Sequence, residues 1–359
     1  MARVFSRAFR RPFFFQKRHE STMASLTKDE ILILLRPPFT NWSNIVRDAE
    51  KVVGYPTSFM NLRCLLSDEF ANMALYLRKL LGSNHLVMQT AKNVLYGDSK
   101  NLQPWGLIIL LLSKSVKASP TQLQHERIQI EEKQRHLAEL TEMMRTGHLI
   151  HKGIVNVPFT KRSKNTESAI FGNKIALLLG DYILVTANDM LAKLRNSDVS
   201  YIISTALRDL SEGEFFGERD EQNQPIPGKG CQAAMVLGLQ NRETVNYAYH
   251  FGCHVGLAWQ AAAEVQTLTS DREEQFCLAS APVLFALEEN PGLYQIIDQA
   301  KGDVKDVDYE DLKYNILKTN AISKTQKLYE DNAQKAIAHI DSIGQNESVD
   351  MIKKLINTF

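Results

Sequence analysis

The stretch that decides the fold is FGNKIALLLGDYILVTA, residues 171–187. Its apolar residues recur three and four positions apart on most sides, which predicts a helix buried in a bundle. Asp181 is the lone acid of this helix, and a buried carboxylate needs a partner. It therefore either makes a hydrogen bond where two helices meet or belongs to a site.

The segments on both sides of this stretch have the same helical periodicity, and none shows the strict alternation that is typical of strands. We predict an all-α fold, a large single-domain helical bundle over residues 26–359. The final section is predicted as three short helices. The interval Gly217–Gly230 contains two prolines and three glycines and is predicted as an irregular loop.

Composition excludes several classes of protein. The 42 basic and 41 acidic residues leave a net charge of +1, so no global field favours nucleic acid. The four cysteines are widely spaced and contain no C-x-x-C pair, which favours free thiols in a reducing compartment. We expect no apolar run to reach the length of a membrane span.

The N-terminal residues 1–25 differ in kind from the rest. They carry six arginines and lysines before the first acid, Glu20, and their apolar residues are mostly phenylalanines. This composition is typical of a mitochondrial transit peptide, and it predicts a location in the mitochondrial matrix. The alternative is a disordered basic tail.

Two histidine pairs have spacings found in metal sites. His250 and His254 are four apart, and His148 and His151 are three apart. Neither pair has a third ligand or an acid nearby in the sequence, so the alternative is one surface and one packed histidine in each pair. No dinucleotide fingerprint, P-loop or nucleophile elbow is present.

Several segments together resemble one family. Residues 171–187, YHFGCHVGLAWQ (249–260), LSEGEFF (210–216) and SAPVLFAL (280–287) resemble, in the same order, segments of trans-prenyl diphosphate synthases, which have the isoprenoid-synthase fold. The resemblance runs from about Val46 to the C-terminus. Residues 49–69 look like the regulatory second subunit of mitochondrial decaprenyl diphosphate synthases.

The resemblance implies a specific chemistry that this chain has lost. Active members face two Asp-rich motifs across a cavity, where magnesium neutralises the substrate diphosphate. The matching positions here are Lys152, Gly153 and Asn156 in the first motif, and Ala263, Glu264 and Thr267 in the second. One carboxylate remains, so we expect no catalytic residue and no metal or other cofactor bound by this chain.

The diphosphate-binding positions are also depleted. Lys161, Arg162 and Ser163 match an Arg-Arg-Gly motif, and Lys100 remains where asparagine and glutamine replace two nearby arginines. The family's Lys-Thr helix is missing, since only Gly217–Gly230 fills that interval. Lys100, Lys161 and Arg162 are therefore the candidates for residual diphosphate binding.

Together these features predict a non-catalytic subunit of a heteromeric polyprenyl diphosphate synthase that makes the ubiquinone side chain. The resemblance implies a catalytic Asp-rich partner that carries magnesium, in a heterodimer or heterotetramer. It also implies isopentenyl and allylic diphosphates as substrates of the complex, and peripheral association with the inner membrane. The alternatives are an autonomous prenyltransferase with degenerate metal sites and a non-enzymatic isoprenoid-binding scaffold.

The helix of residues 171–187 also suggests where the partner binds. Gly172, Ala176 and Gly180 are four apart, so they share one face and allow a close helix approach. Leu179 and Ile183 lie beside them. We take these five residues as candidates for the heteromeric interface.

Overall fold

The computed structural model describes residues 41–55, 104–116, 123–154, 164–216, 225–270, 276–300 and 306–358. Several predictions fall outside these ranges. They are the transit peptide at 1–25, most of residues 49–69, and the positions Lys100, Asn156, Lys161 and Arg162.

Within these ranges the chain forms twelve α-helices and one short 3-10 helix, with no strand. The all-α prediction is confirmed. The helices are α1 (Asn41–Val53), α2 (Trp105–Ser115), α3 (Gln124–Lys152), α4 (Lys164–Lys193), α5 (Ser197–Phe216), α6 (Pro225–Leu237), α7 (Arg242–Thr269), α8 (Ala281–Glu289), α9 (Tyr294–Asp298), α10 (Tyr309–Ile316), α11 (Ala321–Ile343) and α12 (Glu347–Ile356). The 3-10 helix, Pro291–Leu293, lies between α8 and α9.

Helix α2 forms the middle of the core. Nine of its eleven residues are buried, because it is apolar on nearly all sides and packs against α1, α3, α6 and α12. A hydrogen bond joins its first turn to α3: the buried Glu142 carboxylate accepts it from the Gly106 N–H at 2.8 Å. Burial raises the pKa of Glu142, while the nearby Arg145 guanidinium opposes that shift.

Aromatic contacts join α7 to this core. The three tryptophans of the chain are Trp42 on α1, Trp105 on α2 and Trp259 on α7, and all are buried. The ring of Trp259 lies 6.3 Å from that of Trp42 and 4.8 Å from that of Trp105, both edge to face. Edge-to-face aromatic pairs stabilise a fold beyond the burial of their apolar area. The face of α7 that carries Trp259 is therefore fixed against α1 and α2.

The irregular segment predicted over residues 217–230 is partly helical. Helix α6 begins at Pro225, so the predicted irregular segment is wrong for residues 225–230. Proline is compatible with the first helical turn because its missing N–H would have no partner there. Gly228 fits because α6 packs tightly on α7, where a β-carbon would lie 2.5 Å from Cys253 Sγ.

The final section is also more regular than predicted. In place of three short helices, it contains the 23-residue helix α11 in addition to α10 and α12. The mixture of charged and apolar residues is the pattern of one long amphipathic helix, whose buried face packs along α7.

Helix α4 is unusually apolar. Its residues Ile170–Lys193 are, by length and composition, long and apolar enough to cross a membrane, which corrects the expectation that no run reaches that length. Only 33% of its most apolar window is buried inside the chain. The helix packs along α3 with one face and leaves the other open.

Candidate functional site

The end of α3 carries the first degenerate motif. The helix finishes at Lys152, and Gly153 follows as its C-cap, with its N–H bonded to carbonyls of the last turn. The Lys152 side chain is exposed and Gly153 is buried. At the two positions that resemble the family's first Asp-rich motif, this chain therefore presents an ammonium group and a residue without a side chain.

His151, just before this motif, packs closely against Gly180 of α4. His151 lies so close to Gly180 that a β-carbon at Gly180 would be 2.2 Å from its ring atoms. The His151 Nε2 atom is 3.3 Å from the Leu177 carbonyl oxygen and 3.3 Å from Asp181 Oδ1. Asp181, which the sequence placed in a buried helix, has a side chain that is 59% exposed and pairs with His151.

The one remaining acid of the second motif, Glu264, has a structural position. Its Oε2 atom accepts a 2.9 Å hydrogen bond from the Ala281 N–H at the start of α8. Its Oε1 atom accepts a 2.7 Å bond from Gln260 Nε2. The N-cap residue Ser280 makes no side-chain cap bond, so the Glu264 carboxylate takes that place for α8.

The other second-motif positions, Ala263 and Thr267, supply no ligand group. The Thr267 hydroxyl donates to the Ala263 carbonyl within α7. Ala263 lines a cavity of about 450 Å³ between α7 and α11, together with Gln266 and Glu330. None of the described residues that line this cavity is basic.

The family's magnesium therefore does not fit the residues present. Magnesium needs several carboxylate and phosphate oxygens in octahedral geometry. Of the five motif positions that the structure describes, only Glu264 carries a carboxylate, and both its oxygens accept bonds from the protein. Across the described ranges no group of three His, Cys, Asp or Glu residues is arranged to hold a metal ion.

The five interface candidates on α4 all lie inside the chain. Gly172, Ala176, Leu179, Gly180 and Ile183 are buried, and the α3 side of the helix covers Gly180. A second chain could not contact these side chains without opening the bundle. An interface on α4 must therefore use the opposite face of the helix.

That opposite face is apolar and exposed. It carries six large apolar residues that are between 39% and 68% exposed, and we call it the α4 outer face. They are Ile170, Phe171, Leu177, Leu178, Tyr182 and Val185. Large exposed apolar surfaces mark sites of interaction with a protein or a membrane.

Sequence reasoning missed a further cluster. His250 and His254 do face the same way on α7, and His339 of α11 stacks against both rings at 5.5 Å. His339 lies far from the other two in the sequence, so the cluster could be predicted only by knowing that α7 packs against α11.

Comparison with known proteins agrees with this fold. A family model described as "Polyprenyl synthetase" matches residues 85–226. The chain is 32% identical to the human (Homo sapiens) protein named all trans-polyprenyl-diphosphate synthase PDSS2, over 88% of this chain and 86% of that one. It is 25% identical to a probable mitochondrial hexaprenyl pyrophosphate synthase of Yarrowia lipolytica, over 90% of each.

Solved structures show the same fold. A polyprenyl synthase from Caulobacter crescentus, complexed with calcium and isoprenyl diphosphate, superposes with a TM-score of 0.63 at 17% identity. The match covers 88% of this chain and 96% of that one. With its fold, its ordered motifs and a relative of this similarity over most of both chains, the protein belongs to the polyprenyl synthetase family.

Proposed function

We propose that the chain is a non-catalytic subunit of a mitochondrial heteromeric all-trans-polyprenyl diphosphate synthase. The observation that carries this proposal is the position of Glu264, the last carboxylate of the two Asp-rich motifs. It caps α8 with one oxygen and binds Gln260 with the other. The chain thus keeps the family's scaffold while its remaining acid has a structural use.

In this proposal the partner is a catalytic synthase subunit with intact Asp-rich motifs. That subunit holds magnesium and condenses isopentenyl diphosphate with an allylic diphosphate to build the ubiquinone side chain. The described residues at the two motif positions of this chain offer too few oxygen ligands to do the same. Lys100, Lys161 and Arg162 remain candidates for weak diphosphate contacts.

The α4 outer face is the proposed binding surface for this partner. We expect a homologous catalytic subunit to carry an apolar helix at the corresponding place, so that the two faces complement each other. The charged residues Lys174, Asp181 and Asp189 interrupt the apolar surface, and paired charges at such positions set register more than affinity. Burial of a large apolar patch provides the association energy.

Targeting to the mitochondrial matrix is part of the proposal. It is supported by the arginine-rich, acid-poor residues 1–25 and by a relative from Yarrowia lipolytica that is named as mitochondrial. Peripheral contact of the complex with the inner membrane is part of the same proposal and follows from the long apolar product.

Co-expression with and without an Asp-rich homologue from the same cell tests the proposal. The two chains are expected to co-purify, and long-chain polyprenyl diphosphate is expected only from the pair. If the pair does not form and the lone chain makes no product, the isoprenoid-binding scaffold is correct instead. If the lone chain makes product, it is an autonomous prenyltransferase.

A further inference from the structure

Three histidines meet between α7 and α11, two from α7 and one from the distant helix α11. The His339 ring of α11 lies 5.5 Å from the ring of His250 and 5.5 Å from the ring of His254, centroid to centroid. His250 is exposed, and the other two are half-buried. The two α7 residues are one helical turn apart, so all three rings open on one surface.

The hydrogen bonds around His254 fix its tautomer. Asn332 donates from Nδ2 to the Leu328 carbonyl at 2.8 Å, so its amide oxygen must be the atom that faces His254. An oxygen only accepts, and the His254 Nδ1 atom at 2.9 Å must therefore carry the proton. The lone pair is left on Nε2. Metal-binding histidines are commonly oriented by such a bond from the other ring nitrogen.

The ring separations suit a common metal ion. With a zinc–nitrogen distance of about 2.0–2.1 Å and tetrahedral angles, the centroids of two bound imidazoles lie about 5.2 Å apart. The observed separations of 5.5 Å are within a few tenths of an ångström of that value. The backbones of α7 and α11 are thus already at the right spacing.

The ring planes are not yet arranged for a ligand. The plane of the His339 ring is 6° from that of His254 and 24° from that of His250. No three ligand side chains of the described residues converge on one point. Binding requires the His250 and His339 rings to turn about their χ2 bonds, which have broad minima. No hydrogen bond from the described part of the chain holds either ring, whereas His254 keeps its bond to Asn332.

We propose that His250, His254 and His339 form a binding site for one divalent transition-metal ion of the zinc class, which links α7 to α11. Imidazole nitrogens are suitable ligands for zinc, nickel and copper. Burial is the largest cause that lowers the pKa values of His254 and His339, and a lowered pKa favours the neutral form of each ring. This site is separate from the Asp-rich motif positions and does not depend on the proposed function.

One charge opposes metal binding and gives a sharp test. Lys335 on α11 lies close enough to His254 to help lower its pKa. The same ammonium group repels a bound cation. The variant Lys335→Gln is therefore expected to bind zinc more tightly than the natural chain, by about threefold to tenfold, since one charge near the surface contributes on the order of 1 kcal/mol.

Isothermal titration of the mature full-length chain with zinc chloride, purified without a polyhistidine tag, tests the proposal. We expect one zinc ion per chain and a rise in the unfolding temperature on binding. His250→Ala and His339→Ala are each expected to weaken binding by about tenfold or more, because two histidines remain from three. His125→Ala, which removes an exposed histidine of α3, is the matched control and is expected to change nothing.

His250 is exposed, so its replacement leaves the fold intact, and circular dichroism of that variant checks this. Absence of saturable binding at up to about 1 mM zinc overturns the proposal. So does zinc binding that is unchanged in both His250→Ala and His339→Ala, or that is lost equally in His125→Ala.

Discussion

The role of Glu264 yields the most informative prediction. Its carboxylate accepts one hydrogen bond from the first N–H of α8 and one from Gln260 on its own helix. Replacing a helix N-cap group costs about 0.5–2 kcal/mol. A half-buried bond to a charged acceptor contributes roughly another 0.5–1 kcal/mol after discounting for solvent. Glu264→Ala should therefore lower the free energy of unfolding by about 1–3 kcal/mol.

This loss can be measured as a change in unfolding temperature. A chain of this size loses about 1–2 °C for each kcal/mol, so the midpoint of Glu264→Ala should fall by about 1–6 °C. Glu264→Gln keeps an oxygen for the Ala281 N–H and should lose less than half as much. Glu288→Gln removes an exposed carboxylate from the far end of α8 and serves as the matched control, with a change below about 0.5 kcal/mol.

The same variants separate the structural role of Glu264 from a metal-binding role. In the complex with its partner, Glu264→Gln should keep the product yield and the magnesium requirement of the natural subunit. If Glu264 were a metal ligand, Glu264→Gln would raise the magnesium requirement sharply or stop turnover without changing stability. That result would refute the reasoning from the α8 cap.

Three further predictions concern packing, assembly and targeting. Gly180→Ala should lower the unfolding free energy by about 1–3 kcal/mol because its β-carbon clashes with His151, and the better helix propensity of alanine offsets up to ~1 kcal/mol of this loss. Chemical denaturation should show that adding His151→Ala restores part of the lost unfolding free energy. Leu178→Lys should weaken binding of the partner by roughly 10- to 100-fold in gel filtration and leave the lone fold unchanged, whereas Leu284→Lys, equally exposed at 43%, should bind normally. Deletion of residues 1–25 should leave a folded chain in the cytosol, and continued import of that chain would contradict a targeting role.

The sequence was sufficient for the fold class, because helical periodicity is a local property. It was insufficient for the faces of α4. That helix is apolar on most sides, so periodicity could not distinguish the buried side of Ala176 from the exposed side of Val185. The small residues of α4, such as Ala176 and Gly180, lie on its buried side, where Gly180 contacts α3. The exposed bulky residues lie on the opposite face.

Tertiary contacts explain the other differences. Glu264 and Ala281 are brought together by the packing of α8 against α7, which no spacing rule anticipates. His339 joins His254 only because α11 packs along α7. At Gly228, glycine and proline suggested a loop, whereas the structure uses the missing side chain for close packing of a helix.

The central claim is that this chain keeps the synthase scaffold without its chemistry. The most direct test is a condensation assay on the purified mature chain, free of any Asp-rich homologue, with isopentenyl and allylic diphosphates over a range of magnesium concentrations. The account predicts no product at any magnesium concentration, and product once the Asp-rich partner is added. Magnesium-dependent product from the chain alone would contradict it.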